Sequence, residues 1–338
     1  MQDKLQDKLK LTANIGGLSV LSLCDGMSCG QIALTELGIP VKKYFAAEIK
    51  DIAIKVTKDN FPNTIFVGDV NKINYTNGVL HTESGDYQTD IDIVMFGSPC
   101  QTFSLAMSTK HRVGFENKEK SGLFFECYRI LQEVNPRYFL MENVRSMKDK
   151  DRDYISNLLG TEPIMIDSAV VAPCIRKRYY WTNISNVTQP ESTGVCLQDV
   201  LENGYTNRKK GHCLMVSGCR PLTTPVKMFY RYYYKGFNNL VFKSEQHYKE
   251  CCEYYDCHYK GMKAKDIPVG ETDIFNGIRF LTQTELERCQ TVPVGYTKCL
   301  TRNQAADVLG DGWTIEVIKH ILKGLITDEQ TKETIRTN

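Results

Sequence analysis

The sequence predicts an α/β fold: a doubly wound, mostly parallel sheet with a second, smaller domain of irregular structure. Three observations predict it. Short β-rich runs alternate with helical segments through the first half of the chain, the order of a parallel sheet covered on both faces. After about residue 184 the alternation stops, and the stretch to about 277 is rich in Tyr, Lys, Gly and Cys without a clear period. Regularity then returns with amphipathic helical segments.

The elements follow in order. "LSVLSLC" (18–24) is a β-rich run ending at Asp25-Gly26, and Ile32, Leu34 and Leu37 of "SCGQIALTELG" suit a helix stopped by Gly38. "KYFAAEI" is a second strand, "AIKVTKDNFP" a helix ended before Pro62, "TIFVGDV" a third strand and "IDIVMFG" a fourth. "GLFFECYRILQEV" is a helix closed by Asn135-Pro136; "RYFLMENV", "PIMIDSAVV" and "RYYWTNI" are further strands. Thr282-x-x-Glu285 is a capping-box signature, "WTIEVIKHILKGL" an amphipathic helix, and "TDEQTKETIRTN" reads as a frayed tail. The expected domains are therefore 1–183, 184–277, and a return segment 278–338 that completes the first.

Composition bounds the function. A chain of 338 residues with 42% hydrophobic content can bury a full core. The opening lacks a signal-peptide pattern and no apolar run approaches a membrane span, so a soluble, cytoplasmic protein without a membrane partner is expected. Thirteen cysteines, an odd number without a regular framework, point to reduced thiols. The net charge of +2 conceals a segment between Glu202 and Glu245 with no acid but with Arg208, Lys209, Lys210, Arg220, Lys227, Arg231, Lys235 and Lys243. Such a field suits a polyanionic partner. His247, Cys251, Cys252, Cys257 and His258 lack regular knuckle spacing, and no metal is expected there.

In an open parallel sheet, ligands bind beyond the carboxyl ends of the strands. Here those ends carry Asp25-Gly26 with Gly30, then Glu48, Gly68-Asp69, Pro99-Cys100 and Glu142-Asn143. Glu48 lies 22 residues past Gly26, about where such folds place the acid for ribose hydroxyls. An adenosine-type ligand beside a cysteine and a glutamate is a specific combination. A thiolate is the reactive form of cysteine, and the segment after Cys100 supplies Lys110, His111, Arg112, Lys118 and Lys120 as cations.

These residues resemble the DNA cytosine C5-methyltransferase family, and among its branches the de novo type most closely. The motifs stand in the family's order as "SLCDGMSCG", "AAEI", "GDV", "GSPCQTFS", "SGLFFECYRILQEV", "MENV", "RKRYYWTNI", "RFLTQTELERCQTVP" and "LGDGW". The resemblance implies a Rossmann-like sheet that binds S-adenosylmethionine, with Asp25, Gly26, Cys29, Gly30, Glu48, Ile49, Asp69, Val70, Gly97, Leu123 and Trp313 around the cofactor. It implies Cys100 as the nucleophile that adds to cytosine C6, Glu142 on the base edge, Arg176 and Arg178 positioning base and backbone, and Gln101 near the space vacated by a flipped nucleotide. The loop from Gln101 to Ser121 would close over that base. Double-stranded DNA is the implied partner, read by residues 184–277, with Arg220, Lys227, Arg231 and Lys235 on phosphates. Two positions depart from the family: Cys24 stands where a phenylalanine is usual, and Asp311 where an asparagine or basic residue is usual.

Other functions fit less of the sequence. A transfer-RNA branch of the same family would use the same catalytic residues, but its Cys-Phe-Thr motif does not occur here. A nicotinamide oxidoreductase lacks Gly-x-Gly-x-x-Gly in the first turn and leaves Cys100 and Glu142 unused. A non-catalytic DNA-binding module would not need the cofactor edge. The recognised sequence, a restriction-modification or regulatory role, and the oligomeric state are not legible in the residues.

Overall fold

Apolar runs bounded by turn residues form the strands, and a computed structural model describes residues 17–98, 118–215, 224–263, 265–267 and 273–337. The chain forms two units. Unit 1 comprises the described residues up to Asp167, Lys177–Pro190 and Ile315 onward; unit 2 comprises Ser168–Arg176 and Glu191–Thr314. The expected return segment is thus divided, with 278–314 in unit 2 and only Ile315 onward in the sheet unit.

Unit 1 is a Rossmann-like mixed sheet with helices. Its strands are β1 (Leu18–Leu23), β2 (Val41–Ala47), β3 (Ile65–Phe66), β7 (Ile93–Phe96), β8 (Tyr138–Val144), β9 (Ile164–Asp167) and β10 (Lys177–Thr182), in the order β3-β2-β1-β7-β8-β10-β9. All neighbours from β3 to β8 are parallel; β10 runs antiparallel to both β8 and β9. Every residue of β1 and β8 is buried, which is why those runs read as continuously apolar rather than alternating. The order reverses between β1 and β7, so their carboxyl ends frame the crevice where ligands of such sheets bind.

Helix α1 (Cys29–Leu37) follows β1 and stops at Gly38 (φ 71°); α2 (Asp51–Asn60) follows β2. Helix α3 (Lys118–Val134) precedes β8, and α4 (Asp149–Leu159) follows it. The core joins Leu21, Phe45, Phe96, Phe124, Cys127, Met141 and Trp181, and each fully buried large side chain among them contributes about 1.5–3 kcal/mol by leaving water. The C-terminal helix Ile315–Thr337 packs on α1. Its Gly324 allows close approach, because a Cβ there would meet Ile184 and lie 2.8 Å from the Ser185 carbonyl oxygen.

Several elements differ from the sequence reading. "TIFVGDV" yields only the two-residue β3, followed by a 3-10 turn over Val70–Lys72. A three-stranded antiparallel meander, β4 (Asn74–Thr76), β5 (Val79–Thr82) and β6 (Gly85–Gln88), was unanticipated, because its strands are short and largely polar and carry little apolar alternation. Helix α4 was also missed: "DKDRDYISNLL" buries only a narrow stripe of Asp151, Ile155 and Ser156. The polar tail continues the last helix to Thr337 instead of fraying.

Unit 2 holds two helices that its aperiodic composition hid. Helix α5 (Pro225–Tyr233) begins with proline in its first turn and a Thr224 side-chain cap, and α6 (Glu245–His258) with a Ser244 cap. Their rings pack together: Phe229 lies 5.6 Å from Tyr255 and 5.2 Å from Phe275, and Phe242 lies 5.0 Å from Tyr248. Tyrosine therefore does the work of aliphatic core residues, which masks helical periodicity. Strands β11 (Leu240–Val241) and β12 (Arg279–Phe280) pair antiparallel. Helices α7 (Gln283–Cys289) and α8 (Arg302–Asp311) each carry a full capping box, from Thr282 with Glu285 and Thr301 with Gln304. No described helix is long and apolar enough to cross a membrane.

Candidate active site

The carboxyl end of β1 turns sharply into α1, and the turn is held by carboxylates. Gly26 adopts φ 61°, and its N–H donates to Glu48 Oε2 at 2.8 Å. Glu48 Oε1 accepts the N–H groups of Ile49 and Lys50, both at 2.8 Å. Glu48 thus ties the β1 turn to the start of α2, and its Oε2 keeps a lone pair for a further donor such as a ribose hydroxyl. A Cβ at Gly26 would meet no described residue within 4 Å, so among the described residues this turn is uncovered. Gly30 has a different reason to be glycine: a side chain there would collide with the Met95 methyl group.

Asp25 lies inside this turn. Its carboxylate accepts hydrogen bonds from the hydroxyls of Tyr44, at 2.7 Å, and Ser28. Burial raises its pKa from 3.8 to about 6, against the hydrogen bonds of Ser22, Ser28 and Tyr44 and with the help of the Glu48 charge. A carboxyl group enclosed among hydroxyls beside a second carboxylate suits a cationic ligand. Ile49, beside Glu48, is 69% exposed, an apolar surface at a site where an apolar or aromatic group of a ligand can rest. S-adenosylmethionine, with its sulfonium, ammonium, ribose and adenine, fits this donor set.

The next strand ends continue the edge. Asp69 follows β3 and uses Oδ1 to accept from Asn71 N at 3.0 Å and Asn71 Nδ2 at 2.7 Å, capping the 3-10 turn that begins at the buried Val70. Glu83, from the turn between β5 and β6, reaches back to the Asp69 N–H at 3.4 Å and pairs with Lys72 at 2.5 Å. Cys29 is buried at the start of α1, and the half-buried Leu123 packs on the main core. Gly97 follows β7, and the buried Ser98 accepts a hydrogen bond from Asn143 Nδ2 at 3.2 Å.

That last bond joins two strand ends of interest. Asn143, which also accepts the Val144 N–H at 2.8 Å, ties the end of β8 to the segment leading to Cys100. Glu142, its neighbour, is buried, and Arg178 Nε on β10 lies 2.7 Å from its Oε1. The pair is close but out of line for a hydrogen bond, and among the described residues Glu142 Oε1 has no hydrogen-bond donor. A buried carboxylate oxygen left in this state costs free energy that a bound group with a donor can recover.

The other expected residues are distributed differently. Cys100, Gln101 and Arg220 lie outside the described residues, as does most of the expected closing loop. Arg176 and Arg178 fall in different units: the buried Arg176 belongs to unit 2, where it donates to the Gly310 carbonyl at 3.1 Å and meets Cys213 Sγ at 3.5 Å. Trp313 also belongs to unit 2. Lys227 and Arg231 lie on α5, and Lys235 follows it, with its Nζ 5.3 Å from the ring centre of Tyr234. Of the basic run, Arg208 stacks on Tyr232 and donates to the carbonyls of Gly236 and Tyr232, and Lys210 donates to those of Ala172 and Val195, so both serve the unit itself. His247 and Cys251 both bond to the Ile274 carbonyl, and His258 stacks on Tyr254.

Tyr44, Ser22 and Ser28 were not among the expected residues. A signal existed for Ser22, a polar position in a fully buried strand, where an unpaired polar group is expensive.

Comparison with known proteins agrees with this geometry. Residues 18–161 match the family model for C-5 cytosine-specific DNA methylase. The chain is 38% identical over 128 residues to the type II methyltransferase M.NlaIV of Neisseria lactamica, covering 38% of this chain and 27% of that one. It is 38% identical over 184 residues to M.NgoBV of Neisseria gonorrhoeae, covering 47% and 40%. The chain thus aligns with less than half the length of these curated relatives. The crystal structure of a Spodoptera frugiperda DNMT2 mutant matches with a TM-score of 0.59 at 19% identity, over 91% of this chain and 99% of that one, a likeness of fold. The sheet and the family go with S-adenosylmethionine as cofactor. Over residues 18–161, somewhat less than half of its length, this chain is similar to the C-5 cytosine-specific DNA methylase family.

Proposed function

We propose that the chain methylates C5 of cytosine in a nucleic acid, with duplex DNA as the substrate its motifs favour. The observation that carries this reading is the buried Glu142, paired with Arg178 yet with a carboxylate oxygen that lacks a donor among the described residues, beside an Asn143 that donates to Ser98, two residues before Cys100 in the sequence. Cytosine C5 is a weak nucleophile. Addition of the Cys100 thiolate to C6 makes the ring enamine-like, and covalent catalysis divides one hard step into easier ones. Glu142 holds the N3 and amine edge of the base, sharing a proton with N3 as charge develops, and Arg178 keeps that carboxylate in place. S-adenosylmethionine, when bound, supplies an electrophilic methyl group to C5. Loss of the C5 proton to a base and elimination of Cys100 then restore the ring. In a duplex, the nucleotide must first be extruded, at a cost of a few kcal/mol.

A second reading places the target cytosine in a transfer RNA. Its support is the likeness of fold to DNMT2 across nearly the whole of both chains, where the type II relatives align over less than half of theirs. The absent Cys-Phe-Thr motif weighs against it.

Transfer of tritiated methyl groups from the cofactor to duplex DNA and to transfer RNA tests both readings. Cys100→Ser should lower transfer to the preferred substrate on the order of 10³-fold or more, as loss of a covalent nucleophile does. Undiminished methylation by this variant overturns the mechanism, and faster transfer to transfer RNA than to DNA selects the second reading.

A further inference from the structure

Unit 2 carries a turn built the wrong way round for stability. Three of the nine large apolar or aromatic side chains left exposed among the described residues, Tyr233, Tyr234 and Phe237, fall within five residues at the end of α5. Two of these rings have partners: Tyr233 stacks on Phe229 at 5.2 Å and donates to Asp256 at 3.0 Å, and Tyr234 stacks on Tyr230 at 5.6 Å. Phe237 is 51% exposed and has no ring partner among the described residues. The next residue is the reverse: Asn238 is 1% exposed, and neither its amide nitrogen nor its amide oxygen has a hydrogen-bond partner among the described residues. Folding alone favours the opposite arrangement, an apolar ring inside and an amide in water. The backbone of the turn is nevertheless well held. Gly236 takes φ 71° and its carbonyl accepts from Arg208 at 3.2 Å; the Phe237 N–H donates to the Arg231 carbonyl at 3.1 Å, and the Asn239 side chain exchanges two bonds with the His212 backbone. A clamped backbone therefore holds a bare phenylalanine in water.

The charge around the turn indicates what covers that ring. Lys235 is exposed, with its Nζ 5.3 Å from the Tyr234 ring centre and 6.0 Å from that of Tyr230, and the chain has no acid between Glu202 and Glu245. A cation beside a bare aromatic ring matches a phosphate beside a base, because every base offers a π face next to its backbone charge. We propose that the turn 234–238 is a wedge for the substrate DNA: Phe237 enters a base step and stacks on an unstacked base, while Lys235 holds a neighbouring phosphate. Apolar side chains inserted in this way partly unstack and kink a duplex, and the energy of doing so is returned by the contacts that the kink permits. The inverted pair at positions 237 and 238 then has a reason, since a turn kept for what it presents to DNA forgoes some stability. The wedge rests on the duplex-DNA reading and deepens it, by naming side chains of unit 2 that touch bases.

The test uses the full chain and linear plasmid DNA prepared without cytosine methylation. Tritiated methyl transfer from saturating S-adenosylmethionine gives kcat/KM for the DNA, and urea denaturation gives stability. Phe237→Ser should lower kcat/KM about tenfold, the size of one lost base-stacking contact, with stability equal or higher. Phe237→Trp should keep the kcat/KM of the unmodified chain, since a larger ring stacks as well. Lys235→Ala should weaken DNA binding and lower the slope of log affinity against log salt by about one. Asn238→Leu should not lose stability, because its amide has no bond to give up. Equal kcat/KM for Phe237→Ser and the unmodified chain overturns the wedge, as does a fall in kcat/KM matched by a fall in stability, the mark of a ring that packs on the fold. A destabilised Asn238→Leu shows that the amide is bonded and overturns the inverted turn on which the wedge is argued. An unmodified chain that methylates transfer RNA and not this DNA overturns the duplex-DNA reading instead.

Discussion

The two units each bury a carboxylate, and they treat it in opposite ways. In unit 2, Glu285 is fully buried, and both guanidinium Nη atoms of Arg279 lie 2.8 Å from its oxygens. The N–H groups of Thr282 and Glu202 add bonds of 2.8 Å each. Burial works against the charge there, but the Arg279 hydrogen bonds, the two N–H groups and the Arg279 charge outweigh it and lower the pKa. In unit 1, Asp25 has hydroxyl groups and Glu48 around it, and burial wins, raising its pKa to about 6. A carboxylate with a resident cation and a set of amides is structural. One held by hydroxyls alone has charge left over for a visitor.

The largest effect should come from the satisfied member. Glu285→Ala strands Arg279 and releases the cap of α7 and the Glu202 turn together. Breaking a buried pair by removing one partner costs about 3–5 kcal/mol, and the partial exposure of Arg279 places this variant near the lower value. Urea denaturation measures it, while cofactor affinity should hold. A loss below about 1 kcal/mol would erase the distinction between the two sites.

How much of this was legible in the sequence differs between the units for a physical reason. The sheet strands, the glycine turn after β1, and the acids Asp25, Glu48, Asp69 and Glu142 could be placed because a parallel sheet buries both faces and so writes its strands as apolar runs ended by polar residues. Tyr44, a hydroxyl partner of Asp25 at 2.7 Å, was not visible: a tyrosine within a strand looks like core, and only the fold brings it beside a turn 19 residues away. The β4–β6 meander is built from short, largely polar strands of which only Leu80 is buried, so it lacks an apolar pattern to find. In unit 2 the cores of α5 and α6 are built from tyrosines, whose polar tips blur the contrast on which periodicity depends.

Asp25→Asn sharpens the comparison through pH. The folded pKa of about 6 lies above the ordinary 3.8, so the folded protein binds the extra proton. The associated stability is fully present below about pH 4 and lost as pH rises through 6, in all about 3 kcal/mol. The stability of the unmodified protein should therefore fall relative to Asp25→Asn between pH 4 and 7, then run parallel to it. A flat difference across that range would mean that Asp25 is ionised as readily as an exposed carboxylate, and that it is no more poised than Glu285. Saturating S-adenosylmethionine should compress the difference, because a cation beside Asp25 favours its charged form.

The smallest effects make the finest test, since they match the size of the loss and ask only how it depends on pH. Thr282→Ala removes the N-cap of α7, worth about 1 kcal/mol, and a hydrogen bond to Glu202 at 2.7 Å. Glu285, with its lowered pKa, stays charged, so this loss should be constant from pH 5 to 8. Tyr44→Phe removes one hydroxyl from Asp25 and also costs about 1 kcal/mol, but the bond is stronger to the carboxylate than to the acid. Its cost should therefore grow as pH rises through 6, and the Asp25 resonance should titrate above its present value of about 6 in an NMR experiment. If the two variants show the same pH profile, the hydroxyl is a packing contact and Asp25 is not held in the way the geometry indicates. If they diverge, the Tyr44 hydroxyl is part of what keeps Asp25 ionisable near neutrality, and the cofactor edge is built from strand β2 as much as from the glycine turn that first marks it.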